Sequence, residues 1–374
     1  VTLQEGIYLE RGVPPPPAWR MVFLDLAEGT RRDAVHDALA RVVDMLRELQ
    51  QGRMRDLAGA ATVRSGTFTF LLGYGASFFA APVARAARPR HLVALRRDGP
   101  AFPSLPWSRP GAAGHGGESD LVVQLTGVSR HAVDRAAVEI ATLIGDLALP
   151  LRATGTYDGF QRDDGRSWIG FHDGVSNIEP SQRRAAVTCP GDPGWNRGGT
   201  YLAFLRLQVD LGAWRALSVA EQEAIVGRAK STGCPLGSGQ ERPPGDDAPW
   251  EDRDAYYNPP ETGDPAIELS HIHRVNQNRA AGTTHAGHRI FRQGYEYLED
   301  ITAEGPRLGL NFVSFQSDLE QLQQVLGLAG WLGDVNFGGP GGPGALSLMS
   351  LRAGGFYAVP PRAEPFAGAA LLSG

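Results

Sequence analysis

Short apolar runs of strand composition alternate with amphipathic helical stretches, and the alternation occurs twice along the 374 residues. Residues 19–26 have the aromatic and aliphatic character of a strand. Asp33 then offers an N-cap for a helix whose apolar positions Val35, Leu39, Val42, Val43 and Leu46 share one face. Residues 67–73 and 120–125 read as further strands, separated by a Gly-, Pro- and Ser-rich loop over 98–119. A helix over about 130–145 follows, carrying Val133, Ala137, Ile140 and Ile144 on its apolar side. The second half repeats the grammar. Residues 200–209 form a long strand, and Ser218 with Glu221 makes a capping box that opens a helix to about Ala229. Residues 231–265 are dominated by Gly, Pro and Asp. A strand over 308–315, a helix over 319–328, a loop over 338–344 and a closing strand over 355–359 complete the pattern. The expectation is an α+β chain of two similar halves, 1–150 and 151–374.

Composition narrows the functional classes. The chain is 42% hydrophobic and 21% charged, which excludes global disorder. Its formal net charge of −5 argues against a nucleic-acid or anionic-membrane binder. No apolar run reaches the roughly 18 residues that a membrane span needs. Cys189 and Cys234 are too far apart for a C-x-x-C zinc or redox module and read as two ordinary thiols. The chain begins at Val1 with no basic-then-apolar leader. This favours the cytoplasm, with secretion after removal of a leader as the alternative.

Three features carry chemistry. Four of the nine histidines fall close together, at His271, His273, His285 and His288. Imidazole ligates metals and haem iron and is the usual acid–base group near neutrality. His271 and His273 would face one side of a strand but diverge on a helix. The second feature is the segment 168–177, in which Asp173 stands between an aromatic stretch and Gly174. Its carboxylate can project into a cavity from a tight turn, or Asp173 and Gly174 can simply make a hairpin. The third is the pair Arg289 and Arg292, split by two apolar residues, so that one guanidinium can face inward toward an anion.

Together these segments resemble the dye-decolourising peroxidase family. The likeness rests on the G-F-x-D-G turn (Gly170 to Gly174), the downstream H-I-x-x-x-N (His271 to Asn276) and R-I-x-R-x-G-Y (Arg289 to Tyr295). It extends to the opening residues 3–7, to 121–124, to 199–228 and to 312–320, and so spans nearly the whole chain.

The resemblance implies a haem b peroxidase of the dimeric α+β barrel type. Two ferredoxin-like halves with antiparallel sheets would hold the haem mainly through the C-terminal half. By position, His271 is similar to the proximal iron ligand, Asp173 to the distal acid–base carboxylate and Arg292 to the charge-stabilising distal arginine. Arg274, Asn276 and Phe315 would line the cofactor. The implied reaction reduces hydrogen peroxide through an oxoferryl intermediate and oxidises aromatic, phenolic or dye-like donors. A homodimer or higher homo-oligomer is compatible with the resemblance. There are departures. His273 stands where the family often has arginine, Asn276 is followed by Gln277 rather than proline, and Gly294 replaces the distal asparagine of one branch. Asp318 and Asp334 are the candidate acidic partners of the proximal histidine. Two other readings stay open: a haem-binding protein with little turnover, and a non-haem metal enzyme using the cluster from His271 to His288.

Overall fold

Along β1 (Ala18–Leu26) the period of two sorts the side chains onto two buried faces. Trp19, Met21 and Phe23 point to one face and Val22 and Leu24 to the other, each at most 1% exposed. A strand apolar on both faces must be covered twice, and that requirement organises the molecule. The computed structural model describes residues 2–54, 66–94, 116–175, 177–178, 180–191, 194–239, 262–275, 289–326 and 348–372.

The first half runs β1, α1 (Arg32–Gln50), β2 (Phe68–Gly75), β3 (Leu121–Gly127), α2 (Arg130–Asp146) and β4 (Leu151–Phe160). Its strands lie in the order β2-β3-β1-β4, with antiparallel pairings. This is the ferredoxin-like arrangement expected from the resemblance. The second half contains α3 (Pro180–Val187), β5 (Thr200–Val209), α4 (Leu211–Ala216), α5 (Val219–Val226), α6 (Pro265–Glu268) and α7 (His271–Val275). It continues with β6 (Phe291–Arg292), β7 (Tyr295–Thr302), β8 (Gly305–Gln316), α8 (Glu320–Leu326) and β9 (Met349–Val359). The order β9-β5-β8-β7 repeats that of the first half.

Two seams join the sheets into a closed ring. β2 pairs with β9 through Tyr74–Ala358 and Gly75–Tyr357, and β4 pairs with β7 at Phe160–Glu296. Closure removes exposed strand edges. Three apolar cores follow. One lies between the first sheet and α1 and α2, with Val35, Leu39, Val42 and Leu46 buried as their spacing predicts. A second covers the outer face of β5, β8 and β9. The third fills the ring itself with Trp19, Phe23, Phe204, Tyr295, Phe315 and Tyr357.

Local expectations differ in places. Asp33 is not the N-cap: that position is Arg31, which has no side-chain cap, and Asp33 sits in the first turn paired with Arg31. The capping box of Ser218 and Glu221 is present, and its helix stops at Val226 because Gly227 adopts a left-handed φ of 89°. Cys189 and Cys234 are buried free thiols. No described helix is long and apolar enough to cross a membrane. Replacing Phe204, whose ring meets those of Trp19, Phe23 and Tyr157, by alanine is expected to cost about 3–5 kcal/mol in urea denaturation. Both halves should unfold in one transition.

Candidate functional site

The strand alternation that fills the ring also builds the site on its outer side. Phe291, Tyr295 and Tyr297 point into the ring. The intervening Arg292, Gly294 and Glu296 therefore face outward, toward the 161–175 segment. That segment is a tight hairpin pinned by two indoles. Trp168 donates from Nε1 to Tyr297 O at 3.0 Å, and Trp214 donates to Ile169 O at 3.0 Å. The tip of the hairpin lies at Ser167 to Gly170, where Gly170 N donates to Ser167 O. Asp173 is not that turn. It stands at the base, donating its N–H to Gly165 O, with Oδ1 accepting the N–H of Gly174 at 2.7 Å.

The carboxylate of Asp173 leans over Gly294. A Cβ at position 294 would lie 3.3 Å from Asp173 Oδ2 and 3.1 Å from Leu310. A side chain there would press on both groups, and the exposed carboxylate would have to give by a few tenths of an ångström. Arg292 is held by the same connection. Its Nη2 donates to Val175 O at 2.8 Å. Its backbone is paired by Asn177, whose Oδ1 accepts from Arg292 N at 3.1 Å while Nδ2 donates to Arg292 O at 2.9 Å. Asn177 therefore acts as a one-residue strand neighbour. Arg289 is tied there too, donating to Asn177 O at 2.8 Å. Both arginines are half-buried, so the sequence question of which one faces inward has a shared answer.

His271 opens α7, a helix, so His271 and His273 leave the backbone in different directions. His273 is buried with Nδ1 2.8 Å from Ser270 Oγ. The α7 start packs on Gly227, where a Cβ would lie 2.3 Å from Ser270 Oγ and 2.7 Å from Ile272. Only a glycine at this left-handed position lets the helix carrying His271 approach so closely. The His271 imidazole is pushed down to about 3, first by burial and then by the positive charges of Arg292 and Arg228. It is neutral at ordinary pH.

Other expected residues fall elsewhere. Phe315 pairs with Phe291 and packs inside the ring, on the face of β8 opposite Leu308 and Phe312, and so is not brought to this site. Asp318 bonds His91 at 2.6 Å rather than His271. The Arg274 side chain, Asn276, His285, His288 and Asp334 lie outside the described residues. Among the described residues no group of three or more His, Cys, Asp or Glu is gathered for a metal ion.

The residue most easily overlooked is Glu296. It is 4% exposed, and its carboxyl is pushed up to about 9, first by burial and next by the negative charge of Asp173. Period two from Arg292 would have found it.

A family model for the C-terminal part of Dyp-type peroxidases matches residues 164–364. The dye-decolorizing peroxidase of Thermobifida fusca (strain YX) is 30% identical over 331 residues, 82% of this chain and 71% of that protein. A deferrochelatase of Escherichia coli (strain K12) is 33% identical over 160 residues, 41% of this chain and 35% of that protein. Among solved structures, ferric DtpA from Streptomyces lividans is 27% identical with a TM-score of 0.74, covering 99% of this chain and 95% of that one. The fold and the site define an oxidoreductase. The chain belongs to the Dyp-type peroxidase family.

Two expectations follow for the site. Asn177→Ala leaves two backbone groups of Arg292 without their partner and should lower stability by about 1–3 kcal/mol in urea denaturation. The folded state holds the Glu296 proton more tightly than the unfolded state, whose carboxyl titrates near 4.5. The corresponding stability is complete below 4.5 and declines as pH rises toward about 9. Glu296→Gln should flatten that decline in denaturation curves taken across the same range.

Proposed function

We propose that the chain is a haem b peroxidase in which His271 would hold the haem iron, Asp173 would be the acid–base carboxylate and Arg292 the charge-stabilising cation. The observation that carries this reading is the donor set. A neutral imidazole faces the positive charges of Arg292 and Arg228, with a carboxylate leaning over Gly294 on the same strand face as Arg292. A neutral imidazole is the form that ligates iron, and paired guanidinium charges suit a macrocycle that carries carboxylates. The residues present therefore fit a haem. The family membership and the likeness to a ferric structure support the same choice.

Bound there, the haem supplies the redox chemistry, taking oxidising equivalents from hydrogen peroxide and passing them to a donor. The chain manages protons and charge. Asp173 accepts the proton from one peroxide oxygen and returns it to the other, so that water can leave. The hydrogen bond from Gly174 N holds that carboxylate in place. Arg292, fixed by Val175 O and by both bonds to Asn177, stabilises the hydroperoxide anion and the charge that develops along the O–O bond. His271 stays neutral because it is buried and, secondarily, because Arg292 and Arg228 carry positive charge near it, which keeps its nitrogen lone pair available. The donors are aromatic, phenolic or dye-like small molecules.

A second reading, a haem-handling protein with little turnover, has one observation in its favour, the partial match to a deferrochelatase. Spectra of the purified protein before and after peroxide, followed by donor turnover, separate the two. The peroxidase reading expects a Soret band, a rapid spectral change with peroxide and steady donor oxidation. A Soret band with no donor turnover leaves the second reading. Absence of any Soret band would point to the histidine cluster as a non-haem site. His271→Ala should abolish stable haem binding or change the Soret band from that of the wild type. Asp173→Asn and Arg292→Leu should keep haem but slow the reaction with peroxide by about a hundredfold or more.

A further inference from the structure

Asp173 is exposed, so the place of its carboxylate depends on the backbone that carries it. The ladder around that backbone is short. Arg166 and His172 form one antiparallel bridge, flanked by Ser167 N donating to Phe171 O at 2.9 Å and Asp173 N to Gly165 O at 3.0 Å. The indole bonds of Trp168 and Trp214 engage residues 168 and 169, at the tip, and leave the base to another group.

That group is Arg166. Its half-buried guanidinium reaches four acceptors on two sides. Within the hairpin, Nη1 donates to Gly170 O at 2.7 Å and Nη2 to His172 Nε2 at 2.8 Å. A guanidinium only donates, so Nε2 is the unprotonated nitrogen of His172. On the far side, Nη1 donates to Lys230 O at 2.7 Å and Nη2 to Ser231 O at 3.1 Å. The turn that supplies those carbonyls is itself anchored to α5, because Lys230 N donates to Glu223 Oε1 at 2.7 Å and Lys230 Nζ donates to Gln222 Oε1. Gly170 lets the hairpin tip come down on this turn, since a Cβ there would lie 2.6 Å from Lys230 Cε. At the other end of the turn Gly227 receives Ser270 and Ile272, the residues on either side of His271. One guanidinium thus joins the hairpin that carries Asp173 to the turn that seats the start of α7. Lysine cannot do the same, because its ammonium is a point donor without the planar fork.

We propose that Arg166 is the positioning residue for Asp173: its guanidinium ties the base of the hairpin to the 227–235 turn and so fixes the carboxylate relative to His271. The inference rests on the peroxidase reading and deepens it. Asp173 is bracketed by two arginines, Arg166 on the residue before it and Arg292 on Val175 O two residues after. Without the first, the base is held by its short ladder alone, and the carboxylate leaves the position from which it takes and returns the peroxide proton. Arg166 makes and breaks no covalent bond and moves no proton.

The test uses the haem-loaded protein. In stopped flow at pH 7, Arg166→Ala and Arg166→Lys should react with peroxide about ten- to a hundredfold more slowly than wild type, with the Soret band retained. Added to Asp173→Asn, Arg166→Ala should slow the reaction by less than about twofold further, because the carboxylate that it places is already gone. In hydrogen exchange read by mass spectrometry, peptides covering residues 165–173 should exchange faster in Arg166→Ala, and those of α1 should not. A purely structural role would lower the denaturation midpoint and give the same fold-loss in rate with and without the Asp173 carboxylate; that additive result overturns the proposal. So does a wild-type rate in either single variant, unchanged exchange over 165–173, or loss of the Soret band in Arg166→Lys. If Arg166→Ala fails to fold, Arg166→Lys, alone and combined with Asp173→Asn, decides by the same comparison. Failure of the underlying reading has a different signature: Asp173→Asn would itself react with peroxide at the wild-type rate.

Discussion

The indole of Trp19 stacks between the two halves of the molecule, 5.8 Å from the ring of Phe204 and 5.6 Å from that of Tyr295. These rings, with Phe23, Phe315 and Tyr357, fill the interior of the strand ring and are almost wholly buried. Apolar burial of this size supplies much of the stability that a two-sheet arrangement needs. It also fixes register. Because Tyr295 and Tyr297 must lie inside, the alternating residues must lie outside, and a one-residue slip would exchange the two sets. The face that carries Arg292, Gly294 and Glu296 is therefore set by aromatic packing on the other side of the same strand.

On that outer face the electrostatics are arranged in layers. Guanidinium groups act on the imidazole of His271, and the hairpin base brings a carboxylate over a glycine. Side chains that touch no reacting group hold this layout. Asn177 pairs the backbone of Arg292, Trp168 and Trp214 pin the hairpin, and Gly227 admits the helix that starts at His271. Most of these supports come from residues distant in sequence, which is why local patterns do not reveal them.

The apolar spacing of α1 and the capping box of α5 were legible in the sequence because both are local. So were the long apolar strands β5 and β8, and the site segments themselves through their family likeness. β4 and β7 escaped notice for two different reasons. Most β4 side chains are at least partly exposed, leaving a weak alternation. β7 buries Glu296 where an apolar residue would be read, and its second half is exposed. Phe315, expected from the resemblance to line the cofactor, packs inside the ring; β8 is apolar on both faces, so only its pairing with Phe291 shows the direction. Asp318 finds its partner in His91, 227 residues away, a contact that no spacing rule foretells. Asp33 illustrates a subtler limit. A good capping residue two positions past the N-cap, in the first turn, pairs with Arg31 instead of capping.

A protein that consumes peroxide is itself exposed to it, and sulfur is the first casualty of such exposure. Cys189 is 2% exposed, accepts a hydrogen bond from Asn196 Nδ2 at 3.2 Å and donates to Ser317 O at 3.3 Å. Burial, with Asp318 acting in the same direction, pushes its thiol up to about 12. Peroxide attacks the thiolate rather than the thiol. The packing around α3 and the end of β8 thus confers chemical endurance as well as shape, keeping this sulfur in its unreactive form while oxidant turns over elsewhere in the same chain.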